Sequence, residues 1–230
     1  MKLTKSYVLA AAALLLPLIA GCDHLPGASK AEVVERPDSI TNFHTLYSQN
    51  CAGCHGAEGR NGAAINLANP VYQAWVDDAS MRKIIANGQQ GTQMPAFAQS
   101  AGGMLTDAQV DALVQGMRKE WKTQAAPAGI PSYTATLTGN AEQGQKTYQT
   151  ACARCHEQAG HKVTDPTYLA LVSDQTLRSI IVAGRDDLGH PDWRGDIQGQ
   201  PMTDQEITDV VAWLASQRVQ APGQPYPHAQ

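Results

Sequence analysis

A chain of 230 residues has room for two small domains, and its 43% hydrophobic, 6% aromatic and 17% charged residues are ordinary globular composition. The formal charge of −4 argues against nucleic acid and favours partners with a basic docking patch. Of five cysteines, four stand in two close pairs, which leaves none for a structural disulfide; stability must come from packing around whatever those pairs bind.

The first 22 residues account for the fifth cysteine. Lys2 and Lys5 form a basic start, and Val8 to Ala20 is an apolar run too short for an ordinary membrane span. It ends in Ile19-Ala20-Gly21-Cys22, which resembles a bacterial lipobox. The resemblance implies that residues 1–21 are a signal peptide, cleaved before Cys22, whose sulfur then carries lipid; several acyl chains on one residue give a stable anchor. An uncleaved anchor, or a plain signal peptide with an accidental cysteine, is the alternative. Asp23 is similar to the inner-membrane retention signal of some Gram-negative bacteria, so the expected location is the periplasmic side of the inner membrane. Loss of Lys2 and Lys5 makes the mature chain more negative by two charges.

Residues 22–39 mix proline, glycine and charges without apolar periodicity and read as a tether, with His24 solvated in it. A first domain is predicted over 40–123. It opens with a helix from Ser39 or Thr41 to about Ala52, with Phe43, Leu46 and Tyr47 on one face, and runs into Cys51-Ala52-Gly53-Cys54-His55. A loop rich in glycine and asparagine follows, then a helix from about Tyr72 to Asn87, then Met94-Pro95, then a last helix capped by Thr106 and ending near Lys119. Residues 124–138, rich in Ala, Pro and Thr, read as a linker. A second domain over 139–219 repeats the plan: a helix from about Ala141, Cys152-Ala153-Arg154-Cys155-His156, a helix from Tyr168 to Ala183, and a last helix from Thr203 to Arg218. The tail 220–230 is expected to be disordered, with His228 inert.

The repeat fixes equivalent positions. An offset of 96 aligns Pro70 with Pro166, Tyr72 with Tyr168, Arg82 with Arg178, Gly88 with Gly184 and Pro95 with Pro191, without a gap. The two Cys pairs differ by 101, so the second loop is five residues shorter, and the last helices differ by 97.

Cys-x-x-Cys-His is the attachment signature of a c-type haem. Two cysteines a helical turn apart can both form thioethers to the porphyrin vinyl groups, and the histidine after them sits under the ring as proximal ligand. A thioredoxin-like redox pair needs a βαβ context, and a structural zinc site needs four closing ligands; neither suits two such units inside matching helical domains. From about Ile40 to Arg218 the chain resembles two class I cytochrome c domains in tandem. The resemblance implies an all-α fold, a few helices wrapped around each haem, two haem c in all, thioethers from Cys51, Cys54, Cys152 and Cys155, and proximal ligands His55 and His156. In that family the distal ligand is a methionine on the loop before the last helix, commonly followed by proline, which Met94 matches. Met81, Met104 and Met117 read as packing residues.

The second domain departs from this pattern. The ungapped register puts His190 where the first domain has Met94, which implies bis-histidine iron of lower potential. Met202 competes for the role, although its register with Leu105 favours packing; an open or water-ligated iron is the third option. His161 is expected to face solvent, and His44 to be exposed. The family crosses a glycine and an aromatic of the first helix with an aromatic of the last. Gly144, Tyr148 and Trp213 fit, whereas the first domain has Phe43 at the glycine position and Gly116 at that of Trp213. The large and small partners are expected to have exchanged sides.

The resemblance implies a membrane-anchored dihaem electron carrier, not an enzyme, working in a respiratory or photosynthetic chain. Its partners would be redox proteins such as a membrane complex, a periplasmic dehydrogenase or an oxidase, with no nucleic acid and no small-molecule substrate. A fixed subunit of an oxidoreductase complex would do the same chemistry. The alternative of another class is a haem enzyme or sensor, peroxidase-like, which requires an open sixth position at one iron.

Overall fold

Short polar side chains set the helix boundaries along the chain. The computed structural model describes residues 35–219 except Thr123 and Gln198; the expected signal peptide, Cys22 and most of the tether lie outside these residues, as does the tail. Asn42 caps helix α1 (Phe43–Asn50), its side chain accepting from the Thr45 amide, so the helix begins later than the apolar pattern implied. Ser39 belongs instead to a preceding 3-10 turn. A separate turn of helix, α2 (Ala52–His55), carries the first Cys-x-x-Cys-His.

The helix expected from Tyr72 to Asn87 is two helices. Pro70 starts α3 (Pro70–Trp75), where a missing N–H costs nothing, and Asp77 caps α4 (Asp78–Asn87) by accepting from Ser80. The chain turns at Val76, whose backbone is extended. Thr106 and Gln109 then form a reciprocal capping box on α5 (Asp107–Trp121). The second domain follows suit with α6 (Ala141–Ala151), α7 (Ala153–His156), α8 (Pro166–Ala170), α9 (Asp174–Ala183) and α10 (Asp204–Ser216). Again one expected helix, Tyr168 to Ala183, is split, with Ser173 capping the second piece. Among the described residues there are isolated bridges but no strands, and no helix long and apolar enough to cross a membrane.

In each domain the first helix packs across the last, α1 on α5 and α6 on α10. A Cβ added at Gly144 would lie 1.9 Å from the Asp209 carbonyl oxygen and 2.9 Å from Trp213 Cβ. One added at Gly116 would lie 2.1 Å from Phe43 Cδ2. Phe43 of the first helix thus packs on Gly116 of the last, whereas Gly144 of the first helix lies against Asp209 and Trp213 of the last, so the large and small partners stand on exchanged sides.

Arginines tie the last helix to the middle of each domain. Arg82 bonds Asp107 and Asp111 of α5, and the equivalent Arg178, buried at 2%, bonds Asp204 and Thr208 of α10. Arg118 donates to the carbonyls of Gln73 and Val76 and pairs with Asp78. Arg218 donates to Leu169 and Val172 and pairs with Asp174. Those acceptors match at the offset of 96 while the arginines differ by 100, so the two guanidinium groups reach one place from positions nearly a helical turn apart.

The two domains lie in one compact unit that begins at Pro37. Helix α3 packs on α9, and the loop after the first Cys pair meets the turn after α9. Asn69 donates to the Ala183 carbonyl and to Asp186, and Asn66 also donates to Asp186. Arg185 grips Asp187 with two parallel bonds of 2.8 and 2.9 Å and reaches the Gly62 carbonyl at 2.9 Å. The Asn61 amide, held in the left-handed region, donates to the same Asp187 carboxylate at 2.7 Å. The linker is a strap against both sides. Trp75 donates to Pro131 O and stacks edge-on to Tyr133, while Arg178 donates to Ser132 O and Gln175 to Tyr133 O.

Two outcomes follow from this packing. Gly144→Ala and Gly116→Ala should each destabilise the holoprotein by about 1–3 kcal/mol in chemical unfolding. The Gly116→Ala loss should shrink in a Phe43→Ala background, since the obstructing group there is a side chain, whereas at Gly144 it is backbone. The second outcome concerns acid. The bonds from Arg185 hold the Asp187 carboxyl down at about 2, below its ordinary value of about 3.9. A depressed carboxylate contributes stability that is complete above the unfolded value and lost as pH falls through the folded one. The stability gap between wild type and Asp187→Asn should therefore be constant above about pH 5 and close between about pH 4 and pH 2.

Candidate functional site

Each Cys-x-x-Cys-His lies on one turn of helix, so the local backbone alone brings its three functional residues together. In α2 the amides of Cys54 and His55 both donate to Cys51 O, at 3.2 and 3.0 Å. In α7 those of Cys155 and His156 donate to Cys152 O at the same distances. The second thiol of each pair, Cys54 and Cys155, is exposed. Burial pushes the Cys51 and Cys152 thiols up to about 12. A redox-active Cys-x-x-Cys has the opposite shift, toward thiolate at its first cysteine, so neither Cys51 nor Cys152 has the character of a disulfide-exchange nucleophile. Among the described residues no three His, Cys, Asp or Glu side chains come together as a metal cage.

The two histidines are oriented by the loops that follow them. His55 is buried, and its Nδ1 lies 2.9 Å from Ile65 O; His156 Nδ1 lies 2.7 Å from His161 O. A carbonyl only accepts, so Nδ1 carries the proton in both rings and Nε2 keeps the lone pair a metal needs. Burial, with the charge of Arg185 adding to it against the Ile65 bond, lowers the pKa of His55, which also favours the neutral, ligating imidazole. In the shorter second loop the anchoring carbonyl comes from His161, whose exposed position agrees with the expectation that it is no ligand.

Met94 and His190 occupy the same turn of their domains. Gln89 N donates to Met94 O at 3.0 Å, and the equivalent Arg185 N donates to His190 O at 3.0 Å. Both turns leave their helix through a left-handed glycine, Gly88 at φ 67° and Gly184 at φ 76°. A Cβ there would fall 2.7 Å from the Met94 carbonyl in one domain and from that of Pro191 in the other, so the turn closes over glycine alone. The ring of His190 faces that of His156 with centroids 5.8 Å apart. Two imidazoles bound on opposite sides of one metal ion, at about 2 Å per bond, have centroids about 6 Å apart. His190 Nδ1 bonds Pro191 O at 2.7 Å, so its Nε2 is likewise free. Met202 is buried in the hydrophobic core, its amide donating to the carbonyl of buried Trp193.

The residues thus fit a covalently attached haem in each domain: paired thiols, an anchored imidazole with Nε2 free, and a second donor on the opposing turn. Of the other singled-out residues, Met81 and Met117 are core and Met104 is 79% exposed. His44 is exposed and pairs with Glu120. Sequence reasoning missed the carbonyls of Ile65 and His161, and missed Arg185 and Asp187; the Asn-rich first loop and the charged Arg185-Asp186-Asp187 run were the available signals.

A family profile described as cytochrome C oxidase, cbb3-type, subunit III matches residues 38–115, and the cytochrome c profile matches residues 141–218. No curated protein matches the chain. Solved structures similar to it include dihydro-heme d1 dehydrogenase NirN in complex with DHE, 32% identical over 40% of this chain and 18% of that one, with a TM-score of 0.29. A c-type cytochrome, KustC0563, is 29% identical over 36% of this chain and 99% of its own, with a TM-score of 0.31. The Kuenenia stuttgartiensis reducing HAO-like protein complex Kustc0457/Kustc0458 is 16% identical over 81% of this chain and 100% of the other, with a TM-score of 0.46.

Proposed function

The chain belongs to the cytochrome c family as a tandem member binding two haem c groups, and from its electron-transfer domains we propose a membrane-anchored carrier of single electrons between periplasmic or membrane redox proteins. When bound, each haem supplies an iron that alternates between ferrous and ferric states. The chain's own residues attach it, exclude water and set its potential.

The observation that carries the reading is the pairing of His156 and His190 at 5.8 Å. With a protein donor on each side, an iron between them has no position left for a substrate, which is what a carrier needs and an enzyme or sensor lacks. In this proposal Cys51, Cys54, His55 and Met94 would hold the first haem, and Cys152, Cys155, His156 and His190 would hold the second. A thioether favours ferrous iron and raises the potential, while a second imidazole lowers it. The second haem is then the better donor and the first the better acceptor, within one chain. The proposed anchor is lipid on Cys22, which puts the carrier on the periplasmic side of the inner membrane.

Low-temperature EPR with near-infrared magnetic circular dichroism on the ferric protein, beside His190→Ala, tests the ligand sets. The expected result is one His/Met centre and one bis-His centre, the latter lost in the variant. Two His/Met signals indifferent to the substitution would give the role to Met202. A high-spin centre in the wild type, together with carbon monoxide binding to its reduced form, would overturn the carrier reading.

A further inference from the structure

Arg185 is the residue the function leaves unexplained. It is buried at 7% in a position where the first domain has Gln89, yet its side chain serves the other domain. It crosses to Gly62 O in the loop that ends at Ile65, the carbonyl that holds His55. Its backbone pairs both ways with His190, at 3.0 and 2.9 Å. The Asp187 carboxylate it grips is 1% exposed and takes the Asn61 amide from that same loop. Asp186 takes Asn66, the residue after Ile65. The turn 185–187 thus has the proximal loop of the first site on one side and the backbone of the second site's distal donor on the other.

We propose that the Arg185–Asp187 pair is a positioning element shared by both haem sites, locking the proximal loop of the first to the distal turn of the second. The two sites then act as one coupled frame rather than two carriers on a tether. A bidentate Arg–carboxylate fork specifies orientation as well as attraction, and buried it is not screened as a surface pair is. The pair carries no net charge, so replacing the guanidinium alone leaves the buried Asp187 carboxylate beside both sites, which disfavours adding an electron to either. The inference rests on the dihaem reading, and on His190 as ligand only for the effect at the second site.

The test uses the full-length holoprotein. Arg185→Gln should lower the midpoint potential of the first haem in an optical redox titration, although the substitution lies in the second domain, and should lower that of the second as well. Losing the charged fork should also speed proteolysis of the 124–138 strap by about ten-fold or more. Arg185→Lys keeps the charge without the fork, so cleavage should stay fast while the first potential returns toward wild type. Should Arg185→Gln fail to accumulate, Asp186→Ala, at an exposed residue, cuts the bonds to Asn66 and Asn69 and decides by the same cleavage assay. A first-haem potential and a strap cleavage rate both unchanged would overturn the proposal. The ligand assignment fails separately: if His190→Ala left the second site's spectrum intact while Arg185→Gln still shifted the first haem, the shared element would stand and His190 would not.

Discussion

One hydrogen bond recurs in both halves of the molecule, from the imidazole Nδ1 after each cysteine pair to a backbone carbonyl of the next loop. It fixes the tautomer and the ring plane of that imidazole, so the loop that supplies the carbonyl must itself be held. The first domain holds it from outside. Beyond Ile65 the chain continues through Asn66 and Asn69, both buried at 2% and both bonded to the second domain. The second domain holds it by brevity: five fewer residues bring His161 O within 2.7 Å of His156 without a long loop to brace. Two solutions to one requirement account for much of the asymmetry between the halves, including why the first loop, and not the second, became an interface.

The halves share a frame and differ in what they put on it. The left-handed glycines, the turn bonds of Gln89 and Arg185, and the arginines reaching the last helix coincide at matched positions. On that common backbone one turn carries the thioether of Met94 and the other the imidazole of His190, and the helix crossings carry their ring on opposite sides. Substitutions of the first kind alter chemistry with little change in packing. Those of the second kind alter packing with no change in chemistry, because summed volume, not residue identity, is what a crossing conserves.

What the sequence made legible was whatever depends on local spacing. The attachment motifs, the equivalence of Met94 and His190, the capping threonines and the Phe43/Gly116 exchange could all be read from register alone. The splitting of the middle helices was missed because Asp77 and Ser173 cap within continuing apolar periodicity, and the period outweighed the cap. Arg118 and Arg218 were missed because their side chains are long enough to meet equivalent carbonyls from inequivalent positions. The Arg185–Asp187 clasp spans more than 120 residues of sequence to Asn61 and Gly62. Nothing in a repeat register encodes a contact made between repeats.

The strap between the domains carries a last consequence. Arg178 lies buried inside the second domain, where Asp204 pairs with its charge, yet its Nε–H and a second N–H donate to Ser132 O in the strap. A buried guanidinium left short of a partner is expensive, so the unit of folding starts upstream of the unit of duplication. A second half excised at the repeat boundary would keep the Asp204 pair but leave the buried Arg178 Nε–H without its acceptor. The connecting segment is thereby constrained along with the copy it serves: ligands, loops and surface can differ between the halves, while the strap must keep its carbonyls where buried donors of both halves meet them.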